Sequence, residues 1–172
     1  MTTRIIACVV VAVSASFAPA DDAEIKKTAK AKAEETQNAL LKGDYDKLVD
    51  LTHPKIVEEM GGRKKMIEGI TASVKDMKSK GFTFKSVSVG DSSDSVKTGK
   101  ELYIIVPFAL QMAAPSGRLH TKGALVGVSS DGGKTWAFAD ATPGREALKK
   151  LLPGLPEAIV FPKKEAPTFV KD

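Results

Sequence analysis

Few residues in this 172-residue chain combine a reactive side chain with a setting that would use it. His53 precedes Pro54, and its imidazole is able to act as a general base near neutral pH. The competing role for His53 is a capping or surface histidine at a helix junction. Asp140 falls on one strand face with Trp136 and Phe138. If that face lines a cavity, desolvation among aromatics raises the carboxyl pKa and yields a usable acid or base. Asp140 also precedes Ala141-Thr142-Pro143, where an aspartate commonly builds a turn. His120 stands between Arg118 and Lys122 on a predicted strand, an exposed position rather than a ligand. Tyr45 and Tyr103 carry phenol donors, although core packing is the ordinary use of both. His53 and Asp140 are thus weak candidates for catalysis, and no set of these residues specifies one reaction.

Metal and thiol chemistry find little support. Most zinc sites need three or four converging donors, and the chain has two histidines and one cysteine. That cysteine, Cys8, lies inside an N-terminal apolar stretch. No metal site and no cofactor are expected.

The elements that must position these residues are read from a change of rhythm at Gly81. Before it, apolar residues recur every three or four positions; after it, they alternate every second position as far as Asp140. Ile25, Ala29, Ala33, Thr36 and Leu40 form one stripe of a first helix that Gly43 ends. Asp44 caps a second, short helix, and Pro54 opens a third over residues 54–60. A fourth helix spans residues 63–80, with Met66, Ile67, Ile70, Val74 and Met77 facing inward.

Four strands follow, over residues 82–89, about 102–112, 118–129 and 135–140. Leu102, Ile104, Val106, Phe108, Leu110 and Met112 make an unbroken period-two row, while Tyr103, Ile105 and Ala109 make the other face apolar too. Pro107 removes a ladder donor and suggests a bulge or an edge. The two-sided apolar strand requires a cover for the outer sheet face, either a twofold partner, giving a homodimer, or the C-terminal tail. That tail, residues 143–172, is punctuated by prolines and carries Leu148, Leu151, Leu152 and Leu155, which predict a short docking helix. Beyond Phe161 extended or disordered chain is expected. Helices followed by an antiparallel meander define an α+β domain over residues 21–142.

The ends and the charge set the address. Residues 1–20 read as a signal peptide: Arg4, an apolar run over 5–13, then Ala18-Pro19-Ala20 before a cleavage point at Asp21. An apolar run that short does not cross ~30 Å of hydrocarbon as a helix, so no transmembrane segment is expected. The protein is expected to be secreted or periplasmic. The net charge of +5 is carried mostly by lysines interleaved with glutamates, a solvated helix face rather than a nucleic-acid surface.

Leu41-Lys42-Gly43-Asp44-Tyr45, Thr52-His53-Pro54, a long strand interrupted by proline and a last strand of Trp136-Ala137-Phe138 type resemble the nuclear transport factor 2-like superfamily. This superfamily includes ketosteroid isomerase and polyketide cyclases. The resemblance spans residues 22 to 140 and implies a cystatin-like cone, with helices on a curved four-stranded antiparallel sheet and a pocket inside. It implies no particular reaction. Ser129-Ser130-Asp131-Gly132-Gly133-Lys134-Thr135-Trp136 resembles a sialidase Asp-box. A propeller needs that motif repeated in several blades, and it occurs once here, so it reads as a well-made hairpin.

Tyr45, Leu102, Ile104, Val106, Phe108, Trp136 and Phe138 are the expected lining of the cone. A lining this apolar points to a non-catalytic exported domain that binds a small apolar ligand or a protein partner. The alternative is a small isomerase- or dehydratase-like enzyme using His53 or Asp140 in the pocket.

Overall fold

The computed structural model describes residues 21–171, so the expected signal peptide lies outside the described residues. The chain runs through four helices, α1 (Asp22–Lys42), α2 (Tyr45–Asp50), α3 (Pro54–Glu59) and α4 (Arg63–Ser79), before any strand. Then come β1 (Thr83–Val89), β2 (Val96–Thr98), β3 (Glu101–Ala114), β4 (Gly117–Ser129) and β5 (Ala137–Asp140). A short helix α5 (Arg145–Leu151) and a last strand β6 (Thr168–Lys171) complete the described chain. The class is α+β with one antiparallel sheet.

The sheet has six strands rather than the four read from periodicity, in the order β1-β3-β4-β5, with β2 also on β3 and β6 also on β4. The long pair β3–β4 is its spine and runs in unbroken register from Leu102↔Ser129 to Ala114↔Gly117. Each long strand shares its free edge between two short ones. On β3, β1 pairs over Phe108 to Ala113 and β2 over Glu101 to Tyr103. On β4, β5 pairs over Leu125 to Val128 and β6 over Gly117 to His120.

Pro107 falls where β1 and β2 leave the edge of β3. The Gly90 N–H still donates to the Pro107 carbonyl at 2.8 Å, and Ser93 N–H donates to the Ile105 carbonyl at 2.8 Å. The missing donor therefore costs no ladder bond to β4. The register break falls instead on β1, between Phe84 and Ser86.

The sheet carries a buried cluster on each face. On one face Leu102, Ile104, Val106, Leu125, Trp136 and Phe138 pack against Ile25, Ala29 and Ala33 of α1. Alanines at 29 and 33 let the helix backbone approach closely, and both are fully buried. The other helices stack beside this layer, with α2 on α1 and α4 on α2 and α3. The α2–α3 junction is tied to the sheet edge: Phe138 N–H donates to the Leu51 carbonyl and His53 N–H to the Phe138 carbonyl, both at 2.8 Å.

The opposite face is covered by the C-terminal chain. Leu148, Leu152, Leu155 and Ile159 pack on Tyr103, Ile105, Val126 and Val128. Each such side chain, fully buried, contributes about 1.5–3 kcal/mol. Arg145 fastens the return of this segment. Its guanidinium donates to the Pro156 carbonyl at 3.0 Å and to the Ile159 carbonyl, and lies 5.1 Å from the Phe161 ring centroid. The tail thus covers the outer face of the two-sided strand at Tyr103 and Ile105, while Ala109 farther along it is exposed. Residues beyond Phe161 cross the sheet as an exposed strap and rejoin it as β6.

Candidate functional site

The helix α1 packs on the sheet through Ile25, Ala29 and Ala33 of its N-terminal half. The same four-residue spacing that places Ile25, Ala29 and Ala33 inward places Gln37 next. Here a hollow of about 1010 Å³ opens, walled by Gln37 and Leu40 of α1, Phe84 of β1, Phe108 and Leu110 of β3, and Thr121 and Gly123 of β4. Leu40, Phe84, Phe108 and Leu110 are half-buried, as residues facing an open hollow should be.

The hollow does not end at the sheet. Between β5 and β6 the edge of β4 carries no strand at residues 121–123. The cavity wall continues around this free edge to Pro107, Ala109 and Lys122 of the opposite face and to Phe161, Lys163, Lys164 and Glu165 of the strap. The lining of the hollow therefore draws on both faces of the sheet and on the strap.

Gln37 is the polar group at its apolar end. The residue is 6 % exposed, and its amide forms no hydrogen bond with another described residue. No fully enclosed side-chain nitrogen or oxygen among the described residues lacks a partner. The Gln37 amide accordingly opens on the hollow, with both a donor and an acceptor to offer.

The residues singled out by sequence are distributed differently. Of the expected lining, only Phe108 walls the hollow. Leu102, Ile104, Val106, Trp136 and Phe138 are buried in solid contact with α1. Tyr45 is half-buried on α2 and is not part of the wall.

Asp140 reaches the rim, but it is exposed and serves a turn. Its Oδ1 accepts from the Thr142 N–H at 2.7 Å and from the Thr142 hydroxyl at 2.5 Å. His53 caps α3: its Nδ1 accepts from the Lys55 N–H at 3.3 Å. Burial pushes the His53 imidazole below its ordinary value, against the opposing pull of Glu101. His120 is exposed on β4 and lines a second, smaller hollow of about 380 Å³ with Ser86, Gln111 and Lys122. Tyr103 is almost wholly buried beneath the tail, and its phenol donates to Glu101 Oε2 at 2.6 Å. Burial, followed by that carboxylate, raises the phenol well above its ordinary range.

Gln37, Lys163 and Lys164 escaped the sequence reading. A glutamine on a helix reads as a solvent residue, and strap lysines read as a polar tail. The signal for Gln37 was its place in the four-residue row of Ile25, Ala29 and Ala33, where a polar side chain interrupts an otherwise buried stripe. Among the described residues no group of three or more His, Cys, Asp or Glu side chains converges. None of the described helices is long and apolar enough to cross a membrane. Comparison with protein-family models and with curated proteins finds no match.

Proposed function

We propose that this protein is an exported, non-catalytic binding domain of the nuclear transport factor 2-like type, whose hollow takes a small apolar ligand. The observation that carries the reading is the wall itself. Leu40, Phe84, Phe108 and Leu110 form the apolar part of a hollow of about 1010 Å³, and one buried amide, Gln37, opens there with no partner among the described residues. Ligand pockets combine an apolar surface with a few polar groups that fix orientation, which is the balance present here. Removal of half-exposed aromatic and aliphatic surface from water drives binding, and Gln37 selects a ligand with one hydrogen-bonding group. The order of helices then antiparallel strands supports the superfamily reading, and the apolar leader of residues 1–20 supports export.

Titration with N-phenylnaphthylamine, a neutral apolar fluorophore, tests the proposal. A saturable rise in emission is expected, abolished when Leu110→Trp fills the space. Gln37→Leu removes the polar handle, which should weaken a hydrogen-bonding ligand by about fivefold to tenfold relative to its hydrocarbon analogue. Absence of saturable emission from the folded protein would sink the reading.

A further inference from the structure

Resting on that reading of the hollow, we propose that its natural occupant is a single-chain amphipathic anion, with a flexible apolar tail ending in an acidic head. The two ends of the hollow differ in chemistry. The α1 end is apolar, and the strap end carries Lys163 and Lys164. Neither lysine forms an ion pair or hydrogen bond with another described residue.

The other charges on the wall are arranged differently. Lys122 is matched by Glu165, with Nζ 2.9 Å from Oε2, so this pair offers little to a ligand. Asp140 lies at the rim and receives its two hydrogen bonds from neutral groups of Thr142. An acidic head is therefore directed to the strap, where Lys163 and Lys164 lack partners among the described residues.

The shape supports a chain over a rigid ring system. The hollow draws its lining from both faces of the sheet beside the strandless edge of β4 at residues 121–123, and a flexible tail adapts to such an irregular wall better than a fused ring system does. The tail lies along Phe108 and Leu110, and the head sits under the strap.

The test compares decanoate, decanol and decylammonium by calorimetric titration into the purified protein, with N-phenylnaphthylamine displacement as a second readout. Decanoate is expected to bind about fivefold tighter than decanol, with decylammonium weakest. The double variant Lys163→Gln/Lys164→Gln should collapse the decanoate-to-decanol ratio to about one, and raising salt should do the same to the parent protein. Equal affinity for decanoate and decanol, or preference for decylammonium, would overturn the inference while the fluorophore still binds. Failure of the fluorophore and all three decyl compounds would instead remove the hollow itself as a binding site. Sedimentation with phosphatidylglycerol vesicles, set against phosphatidylcholine vesicles, separates a membrane lipid from a free amphiphile as the source of the anion.

Discussion

The indole N–H of Trp136 points at the hydroxyl of Thr28, 3.2 Å away across 108 residues of chain. The same N–H donates to the Gly133 carbonyl at 3.0 Å, and the Thr28 hydroxyl reaches that carbonyl at 2.8 Å. Three polar groups thus close on one another between α1 and the β4–β5 loop. They fasten the N-terminal half of α1 to that loop, while Gln37 and Leu40 of its C-terminal half wall the hollow.

Removing one member of this cluster should cost stability without touching the hollow. Trp136→Phe keeps an aromatic ring and loses the donor, and Thr28→Val loses the hydroxyl. Each should lower unfolding free energy by about 1–2 kcal/mol in urea titrations. The double variant should fall short of the sum, since both changes break the same contact. Strict additivity would show that Trp136 acts through bulk alone.

The β4–β5 loop is organised by Asp131, and its chemistry gives a pH prediction. One carboxylate accepts from the Lys134 and Thr135 N–H groups at 3.1 and 2.9 Å, and from the Thr135 hydroxyl at 2.7 Å. Partial burial opposes ionisation, but the Thr135, Ser129 and Lys134 donors outweigh it and hold the carboxyl below its usual range. A depressed folded value means that the stabilisation is complete above the ordinary carboxylate pKa and is lost as pH falls through the folded value. Asp131→Asn should therefore be less stable at neutral pH and show a shallower acid transition than the parent. Parallel acid transitions in the two proteins would refute this.

His53 governs a different pH window. Burial lowers its imidazole below the ordinary 6.5. The unfolded chain then binds a proton before the folded one does, so stability is lost as pH falls below about 6.5 toward the folded value. His53→Asn retains an acceptor for the Lys55 N–H and removes the titration. Its stability should lack the decline that the parent shows as pH falls below about 6.5. A decline equal to the parent's would exclude His53 as the source.

The helices and the long strands were legible because periodicity follows burial. Ile25, Ala29 and Ala33 repeat at helical spacing, and the row from Leu102 to Met112 alternates along β3. The strands β2 and β6 left no such trace. Val96–Thr98 is too short to show a period, and Thr168–Lys171 is held by backbone pairing with every side chain exposed. The site was harder to read than the fold. Ile104 and Phe108 have the same alternating position in sequence, yet one is sealed under α1 and the other faces open space. Periodicity reports which face a residue occupies; it does not report how far the opposing helix stands from it.

Docking of the tail gives a fourth prediction. Gly154 lies against the buried phenol of Tyr103, where an added Cβ would stand 2.6 Å from its oxygen. The phenol is wedged between the tail and Glu101 and has little room to move. Gly154→Ala should lift the segment and reduce stability by about 1–3 kcal/mol. Truncation after Pro143 should do far more, exposing Tyr103, Ile105 and Val126 to water and causing aggregation. A soluble, unchanged truncated protein would show that the tail is not part of the core.

The last prediction joins packing to binding through Gly123 and Phe108, which face each other across β4 and β3. A Cβ built on Gly123 would lie 2.5 Å from the tip of the Phe108 ring. Gly123 has an ordinary backbone conformation, so alanine introduces no strain of its own at that position. The ring must therefore move, and the hollow beside it is the available space. Gly123→Ala should swing Phe108 into the hollow, costing about 1 kcal/mol of stability, while weakening N-phenylnaphthylamine binding by about tenfold or more. The paired change Gly123→Ala/Phe108→Leu removes the obstructing ring and should restore much of that binding. If Gly123→Ala alone leaves probe affinity intact, Phe108 does not wall the binding space and the hollow is not where the ligand sits.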